Sequence, residues 1–385
     1  MKIIQVHNYY QMAGGEDTVV KAERQLLEEM GHEVIPFYKN NKVIGEYGLL
    51  KKLRLIQKTT WSKEIYREFT KLLKDRQPDI CHVHNFFPLI SPAVYDACNE
   101  AKVPIVQTLH NYRLICTSGI LVRKGEICED CLAKSAYGSV KKKCYRNSYL
   151  QTYAVARMLE KHKTANTWSE KVSAYICLTD FAKQKFIAHG LPKDKLMVKS
   201  NFVEESTVQK NATQPYFIFV GRLDNSKGVD IFKLIHYQLR INIKIVGEGD
   251  LADELLGLSN IELLGKKSHS ETLALIGNAT ALILPSIWYE GMPMTILEAF
   301  ASKTLVIASN IGAMSTMITH KENGLLFENK SANALINNLN FALENEGKRD
   351  QMIHSAFKSF QQFYSKESNY KKLLEIYDSA INSSK

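Results

Sequence analysis

Short apolar runs of four to six residues alternate with longer amphipathic stretches along almost the whole chain. Lys2 to His7 is the first run, and the loop Asn8 to Gly15 follows it. Glu16 to Met30 then places Val19, Val20, Leu26, Leu27 and Met30 at helical spacing, and Gly31 stops the helix before the apolar run His32 to Phe37. Strand, glycine-bearing loop, helix and strand make a βαβ unit. The same alternation continues. Leu49 to Arg76 reads as one helix, Asp79 to Asn85 and Val103 to Leu109 as strands, and Thr152 to Ser169 and Asp180 to His189 as helices around the strand Ala174 to Leu178. Lys195 to Ser200 closes the first half as a strand. The polar, patternless segment 201–214 is a linker.

The second half restarts with the apolar run Tyr216 to Val220. Strands at Ile243 to Val246, Ile261 to Leu264, Ala279 to Leu284 and Leu305 to Ser309 are interleaved with helical stretches, and a helical tail, Ser331 to Ser383, breaks near Gly347. Strands that are apolar throughout, separated by helices, predict parallel sheets covered on both faces. The expected fold is α/β, with one domain at residues 1–200 and a second at 215–385. The last helix is expected to return to the first domain.

Charge sharpens this division. The chain has 385 residues and a net charge of +10. Residues 1–200 carry 32 Lys/Arg and 20 Asp/Glu (+12), and residues 201–385 carry 18 and 20 (−2). A basic first half and a near-neutral second half point to different partners for the two domains. With no helix-turn-helix, RNP or zinc-finger pattern, nucleic acid is not among them. An anionic membrane surface or a phosphorylated substrate fits better, and the basic, leucine-rich stretch Leu49 to Trp61 has the composition of an interfacial helix. No run of eighteen apolar residues occurs, so a cytoplasmic protein, peripheral at most on the inner membrane, is expected.

The chemistry-bearing residues gather where strands end. Gly14-Gly15 follows the first strand, and His84-Asn85 and His110-Asn111 follow two more. Gly221-Arg222 and Lys227-Gly228 follow the first strand of the second half and make a basic loop suited to phosphate, since Arg chelates oxygens and Lys supplies a point charge. Leu284-Pro-Ser-Ile-Trp-Tyr-Glu290-Gly-Met-Pro-Met-Thr-Ile-Leu-Glu298 is a strand end, a loop carrying Glu290 and a helix expected to begin at Pro293. Open α/β sheets bind ligands at this edge, and a helix start suits an anion. Four of the seven cysteines, Cys116, Cys128, Cys131 and Cys144, fall within 112–147. Structural zinc, free thiols and redox chemistry all remain open for them.

Taken together, Gly14-Gly15-Glu16, His110-Asn111, Gly221-Arg222, Lys227-Gly228 and Glu290-Gly-Met-Pro-x4-Glu298-Ala resemble the retaining glycosyltransferases of family 4, over roughly residues 1–330. The resemblance implies the glycosyltransferase B fold, two facing Rossmann-like domains, and places the chain near a bacterial subgroup that assembles capsule, O-antigen or exopolysaccharide. It implies a nucleotide-sugar donor, a growing, lipid-linked glycan as acceptor, and no cofactor or metal for catalysis. No Asp-x-Asp stands in the sequence to hold such a metal. Arg222 and Lys227 resemble the pair that grips the diphosphate, Glu290 the carboxylate on donor-sugar hydroxyls, and Glu298 the ribose ligand. Gly221, Gly291 and Met292 to Thr295 (with Pro293 and Met294) resemble the backbone around the phosphate. Gly265 and Lys266 resemble the loop near the base, Gly15 the glycine near the phosphate, and His110 the histidine beside the transferred sugar. One departure is the loop Ile311 to Met317, where Ala313 and Thr316 replace the usual second glycine and the acid. An epimerase of the same fold, or a non-catalytic nucleotide-sugar binder, are the competing readings.

Overall fold

The computed structural model describes residues 1–11, 14–208 and 214–383. The chain divides into two compact units, one made of Met1–Leu121, Cys128–Lys199 and Tyr370–Lys385, the other of Val122–Ile127 and Ser200–Asn369. Part of the expected linker, residues 209–213, lies outside the described residues.

Unit 1 is built on a six-stranded parallel sheet of β1 (Lys2–Tyr9), β2 (Glu33–Asn40), β3 (Ile80–Val83), β4 (Ile105–Leu109), β7 (Ala174–Cys177) and β8 (Leu196–Val198), in the order β2-β1-β3-β4-β7-β8. The intervening β5 (Val122–Arg123) and β6 (Glu126–Ile127) form a separate small hairpin. Strand order reverses between β1 and β3, so the chain leaves those neighbours in opposite directions and opens a crevice at their carboxyl ends. One face of the sheet packs Ile3, Ile80, Val106 and Ile176 against Leu373, Ile376, Tyr377 and Ala380 of the last helix, Lys366–Asn382.

Unit 2 contains β9 (Phe217–Val220), β10 (Ile243–Val246), β11 (Ile261–Gly265), β12 (Ala281–Leu284), β13 (Leu305–Ser309) and β14 (Leu325–Phe327), all parallel, in the order β11-β10-β9-β12-β13-β14. That is the doubly wound dinucleotide-fold order, with the switch between β9 and β12. Both strands are apolar because both faces are covered: Phe217, Phe219, Ala281 and Ile283 lie in the core on one side.

Several sequence expectations change in detail. Leu49 to Arg76 is two helices, Leu49–Thr60 and Lys63–Arg76, because Trp61 and Ser62 are extended and the Ser62 side chain caps the second by accepting from the Ile65 N–H. Thr152 to Ser169 is likewise split, into Tyr149–Thr164 and Thr167–Glu170, by Asn166 in the left-handed region. The tail breaks at Asn345 and again at Ser365, giving Ala332–Glu344, Glu346–Ser359 and Lys366–Asn382. The helix after β12 spans Met294–Ala301, with Pro293 capping it rather than opening it. Glu298 is still in the second turn.

Candidate functional site

Each unit gathers polar residues at the carboxyl edge of its own sheet. In unit 2 the loops after β9 and β12, the switch-point neighbours, lock together. Asp224 begins a turn, Asn225–Lys227, by accepting from the Ser226 N–H, and the Ser226 carbonyl accepts from the Ile287 N–H at 3.0 Å. Gly228 ends the turn at φ +67, and a Cβ there would stand 2.0 Å from the Pro285 carbonyl oxygen. Glycine is required at this position, and the close approach carries Lys227 to the β12 loop. There the Lys227 ammonium donates to Glu290 Oε1 at 2.6 Å, and the same oxygen accepts from Ser286 Oγ at 2.8 Å and Trp288 Nε1 at 2.9 Å. Burial pushes the Glu290 carboxyl up, but Lys227 and these donors outweigh it and hold it below the ordinary range. Arg222, by contrast, is well exposed and pairs loosely with Asp224 at 3.3 Å.

Glu298 is nearly buried, and burial raises its carboxyl above the ordinary range, with His269 at 3.8 Å acting in the other direction. Gly265 ends β11 at φ +64, and its carbonyl accepts from the Gly247 N–H at 2.9 Å, while Lys266 is exposed. Met292 is buried, and its sulfur accepts from the Asn201 N–H at 3.2 Å. The first N–H groups of the helix Met294–Ala301 have no acceptor within the helix itself, so this terminus carries partial positive charge. Of the departing loop, Ala313 is fully buried, and Thr316 turns its hydroxyl back onto the Ala313 carbonyl at 2.9 Å. Those side chains are packed or self-satisfied.

In unit 1 the predicted Gly14-Gly15 opens the helix Gly15–Glu29, and an added Cβ at either glycine would meet no described atom within 4 Å. Glu16 stands beside it: Tyr10 OH donates to Glu16 Oε2 at 2.8 Å, and Asn111 Nδ2 lies 3.4 Å from the same oxygen. Burial pushes the Glu16 carboxyl up to about 8, against those hydrogen bonds. His110, at the end of β4, stacks on His84, at the end of β3, with ring centroids 5.3 Å apart and His110 Nε2 3.0 Å from His84 Nδ1. Burial, then the His82 imidazole, push His84 down to about 3, and burial, then the His84 imidazole, push His110 well below its ordinary value. Behind them lies Glu23, which sequence reading passed over. Its Oε1 is 3.1 Å from His84 Nε2 and 3.0 Å from His82 Nδ1, and its Oε2 accepts from the Lys199 ammonium at 3.2 Å. The signal was present: Glu23 falls on the same helical stripe as Val19, Val20, Leu26 and Leu27, so a charge was destined for the buried face.

His84, His110, Asn111 and Arg113 line a cavity of about 510 Å³, whose other wall is apolar: Leu49, Leu53 and Ile56, with Leu150 and Val155. The Arg113 guanidinium stacks on Phe87 and Tyr145, at 4.8 and 4.9 Å from their centroids. Cys116, Cys128, Cys131 and Cys144 all belong to this unit. Burial, then the nearby Cys116, Cys144 and Cys128, push the Cys131 thiol up to about 12. Among the described residues, the His, Cys, Asp or Glu ligand atoms that close to within 4.8 Å as a trio belong instead to Glu23, His82 and His84.

Two Rossmann-like units, each with its polar residues at the switch-point edge, define a glycosyltransferase of the B fold. The chain belongs to glycosyltransferase family 4, whose model matches residues 13–207, just over half of it. The model for glycosyl transferases group 1 matches residues 202–359. Similar proteins include an uncharacterized glycosyltransferase of Methanocaldococcus jannaschii, 24% identical over 98% of both chains. The Escherichia coli UDP-Gal:alpha-D-GlcNAc-diphosphoundecaprenol alpha-1,3-galactosyltransferase is 24% identical over 70% of this chain and 67% of its own. HepE of Anabaena, solved in complex with UDP, shares the fold at a TM-score of 0.67 and 17% identity, over 98% of this chain and all of that one.

Proposed function

We propose that this glycosyltransferase moves a sugar, with retention, from a nucleoside-diphosphate sugar to a growing glycan on a lipid diphosphate, in the assembly of a bacterial surface polysaccharide. The observation that carries the reading is the locked pair of loops at the unit 2 switch point, which sets Lys227, Glu290 and the start of the Met294–Ala301 helix at one strand edge. Cleaving a sugar–diphosphate bond builds negative charge on the departing phosphate. Lys227, the exposed Arg222 and the helix terminus supply positive charge for it, the role a metal fills in other transferases. Glu298, its carboxyl buried, is suited to ribose hydroxyls, and Glu290 to hydroxyls of the sugar. With no carboxylate assigned as nucleophile, the acceptor hydroxyl attacks from the face the phosphate leaves, and the phosphate takes its proton. The UDP bound by HepE and the lipid-diphosphate acceptor in the name of the E. coli relative favour this donor and acceptor class.

The acceptor side rests on unit 1. Leu49, Leu50 and Leu53 are 82, 74 and 52% exposed beside Lys51, Lys52 and Arg54, so this helix offers apolar and basic groups together. Such a face suits an anionic bilayer carrying the acceptor, on the cytoplasmic side of the inner membrane. The four clustered thiols would staple the segment 112–147 if they hold zinc, and elemental analysis of purified protein tests that separately. No helix among the described residues is long and apolar enough to cross a membrane.

A thermal-shift panel of nucleotide sugars, then transfer of labelled sugar to a prenyl-diphosphate-linked acceptor, tests the reading. Lys227→Ala should slow transfer more than it weakens donor binding. Donor turnover to an isomer without acceptor would establish an epimerase instead, and binding without any turnover a non-catalytic role. Charge reversal of Lys51, Lys52 and Arg54 should release the protein from anionic vesicles, and unchanged binding would remove that face from the account.

A further inference from the structure

We propose that the cavity of unit 1 is the subsite for the diphosphate and first prenyl unit of the acceptor, so that the sugar receiving the new linkage is the one attached directly to the diphosphate. This deepens the reading of the acceptor as a glycan on a lipid diphosphate, and rests on it.

The charge of the cavity wall is one-sided. Lys52, Arg113 and Arg146 line it, and among the described residues no aspartate or glutamate does. Neither is any of the three paired with a carboxylate among the described residues. Arg113, half-buried, donates to the Thr117 carbonyl and, at 3.1 Å, to the Ser118 carbonyl, and Arg146 donates to Gln11 Oε1 at 3.0 Å. Those acceptors are neutral and fix the guanidinium groups without cancelling their charge. Tyr145 draws the two together, with Arg113 4.9 Å and Arg146 5.6 Å from its ring centroid. Glu16, the acid closest in influence on this end, feels Arg113 yet keeps its proton up to about 8 because burial outweighs it. His84 and His110 are held neutral by burial. Like charges held together without a counter-charge cost stability, and an anion entering the cavity offsets that cost. Guanidinium forks fit phosphate oxygens, and three cations match a diphosphate better than a single carboxylate.

The remaining wall decides what the anion carries. The Leu49–Thr60 and Tyr149–Thr164 helices pack together and supply Leu49, Leu53 and Ile56 from one side and Leu150 and Val155 from the other. Leu49, Leu53 and Leu150 are 82, 52 and 50% exposed, so the mouth is apolar and open, whereas the deep wall is polar, with Thr108 and His84 buried. From inside outwards the cavity therefore offers hydroxyl-binding groups, cations and hydrocarbon, the order of sugar, diphosphate and prenyl chain. The exposed leucines are those of the basic helix already assigned to the bilayer, so a lipid chain passes from membrane to cavity along one surface. At about 510 Å³ the cavity encloses one ligand of drug-like size. One sugar with its diphosphate fills it, and a chain of several sugars between His110 and the cations does not fit.

The test measures binding of farnesyl diphosphate to the full chain by titration calorimetry, without donor. It should bind at least tenfold more tightly than farnesol or inorganic pyrophosphate. Lys52→Gln with Arg146→Gln, both at exposed positions, should leave the melting curve in place and weaken farnesyl diphosphate about 100-fold, about tenfold for each lost charge-assisted contact. Leu53→Ser with Leu150→Ser should weaken farnesyl diphosphate about tenfold or more and leave pyrophosphate unchanged. Lys227→Ala, in unit 2, should change neither. Equal affinity for pyrophosphate and farnesyl diphosphate, wild-type affinity in the Lys52/Arg146 double variant, or loss in Lys227→Ala would overturn the subsite. In transfer assays a prenyl-diphosphate monosaccharide should exceed the matching trisaccharide at least tenfold in kcat/KM, and equal values would overturn the assignment of the acceptor sugar. The binding measurement needs no turnover: a wild type that binds farnesyl diphosphate in this way but transfers to no acceptor supports the subsite and sinks the functional reading.

Discussion

Replacing Glu290 with Gln tests how the donor half is poised. In the free protein Lys227 is tied to Glu290 at 2.6 Å, with both side chains largely covered. The gross Coulomb attraction at that distance is roughly 6 kcal/mol at an effective dielectric of 20. Desolvation of the two charges offsets most of it, leaving a net of about 1.5–3 kcal/mol for a charge-assisted hydrogen bond. Gln keeps the shape and can still accept from Ser286 and Trp288, but it no longer neutralises the ammonium. Lys227 can still reach water, so the stability cost should sit at the low end, about 1.5 kcal/mol, or about 3–6 °C in the melting temperature of a unit this size. The freed ammonium no longer has to leave a carboxylate to meet a diphosphate. UDP, which lacks the sugar, should therefore bind about tenfold more tightly to Glu290→Gln by titration calorimetry, since about 1.4 kcal/mol is a factor of ten. Transfer from the full donor should nonetheless fall, because the carboxylate proposed to hold the sugar hydroxyls is gone. UDP binding to Glu290→Gln that is weaker than to wild type would refute the idea that Glu290 restrains Lys227.

Three further changes probe other parts of the molecule. Gly228→Ala combines a left-handed backbone with a Cβ 2.0 Å from the Pro285 oxygen, so it should cost about 3 kcal/mol or more and weaken UDP binding as the two loops separate; a melting curve within 2 °C, roughly 1 kcal/mol, of wild type would contradict that. Glu298→Gln should weaken nucleoside-diphosphate binding more than it slows turnover at saturation, and unchanged affinity would remove Glu298 from the ribose. Glu16 holds its proton up to about 8 when folded but releases it near the ordinary carboxylate value when unfolded. The folded state therefore binds more protons in between, and the stability present below about pH 4.5 is lost as pH rises towards 8, at a slope of up to about 1.4 kcal/mol per pH unit. In urea titrations Glu16→Gln should flatten that decline; parallel curves for the two proteins would show that Glu16 ionises normally.

The alternation of apolar runs and amphipathic stretches was enough to specify two parallel α/β units, since a strand buried on both faces must be apolar throughout and the helices covering it must be one-sided. It also placed Lys227, Glu290, Glu298 and His110 in the loops and helix starts that follow strands, because those connections are short and local. What local pattern could not supply was strand order. The switch points between β1 and β3 and between β9 and β12 arise from pairing between strands far apart in sequence, and those pairings decide which loops become neighbours. Lys227 meeting Glu290, 63 residues on, depends on Gly228 passing against Pro285, a tertiary contact with no local signature. Glu23 and Lys199, 176 residues apart, likewise look like ordinary surface charges until the sheet brings them together behind two histidines. Helix ends moved for a related reason: Ser62 and Asn166 broke helices whose apolar spacing ran straight through, because capping and a left-handed turn depend on single residues that periodicity averages away. Sequence set the layers and the chemistry at their edges, and tertiary pairing of distant strands decided which charges face one another.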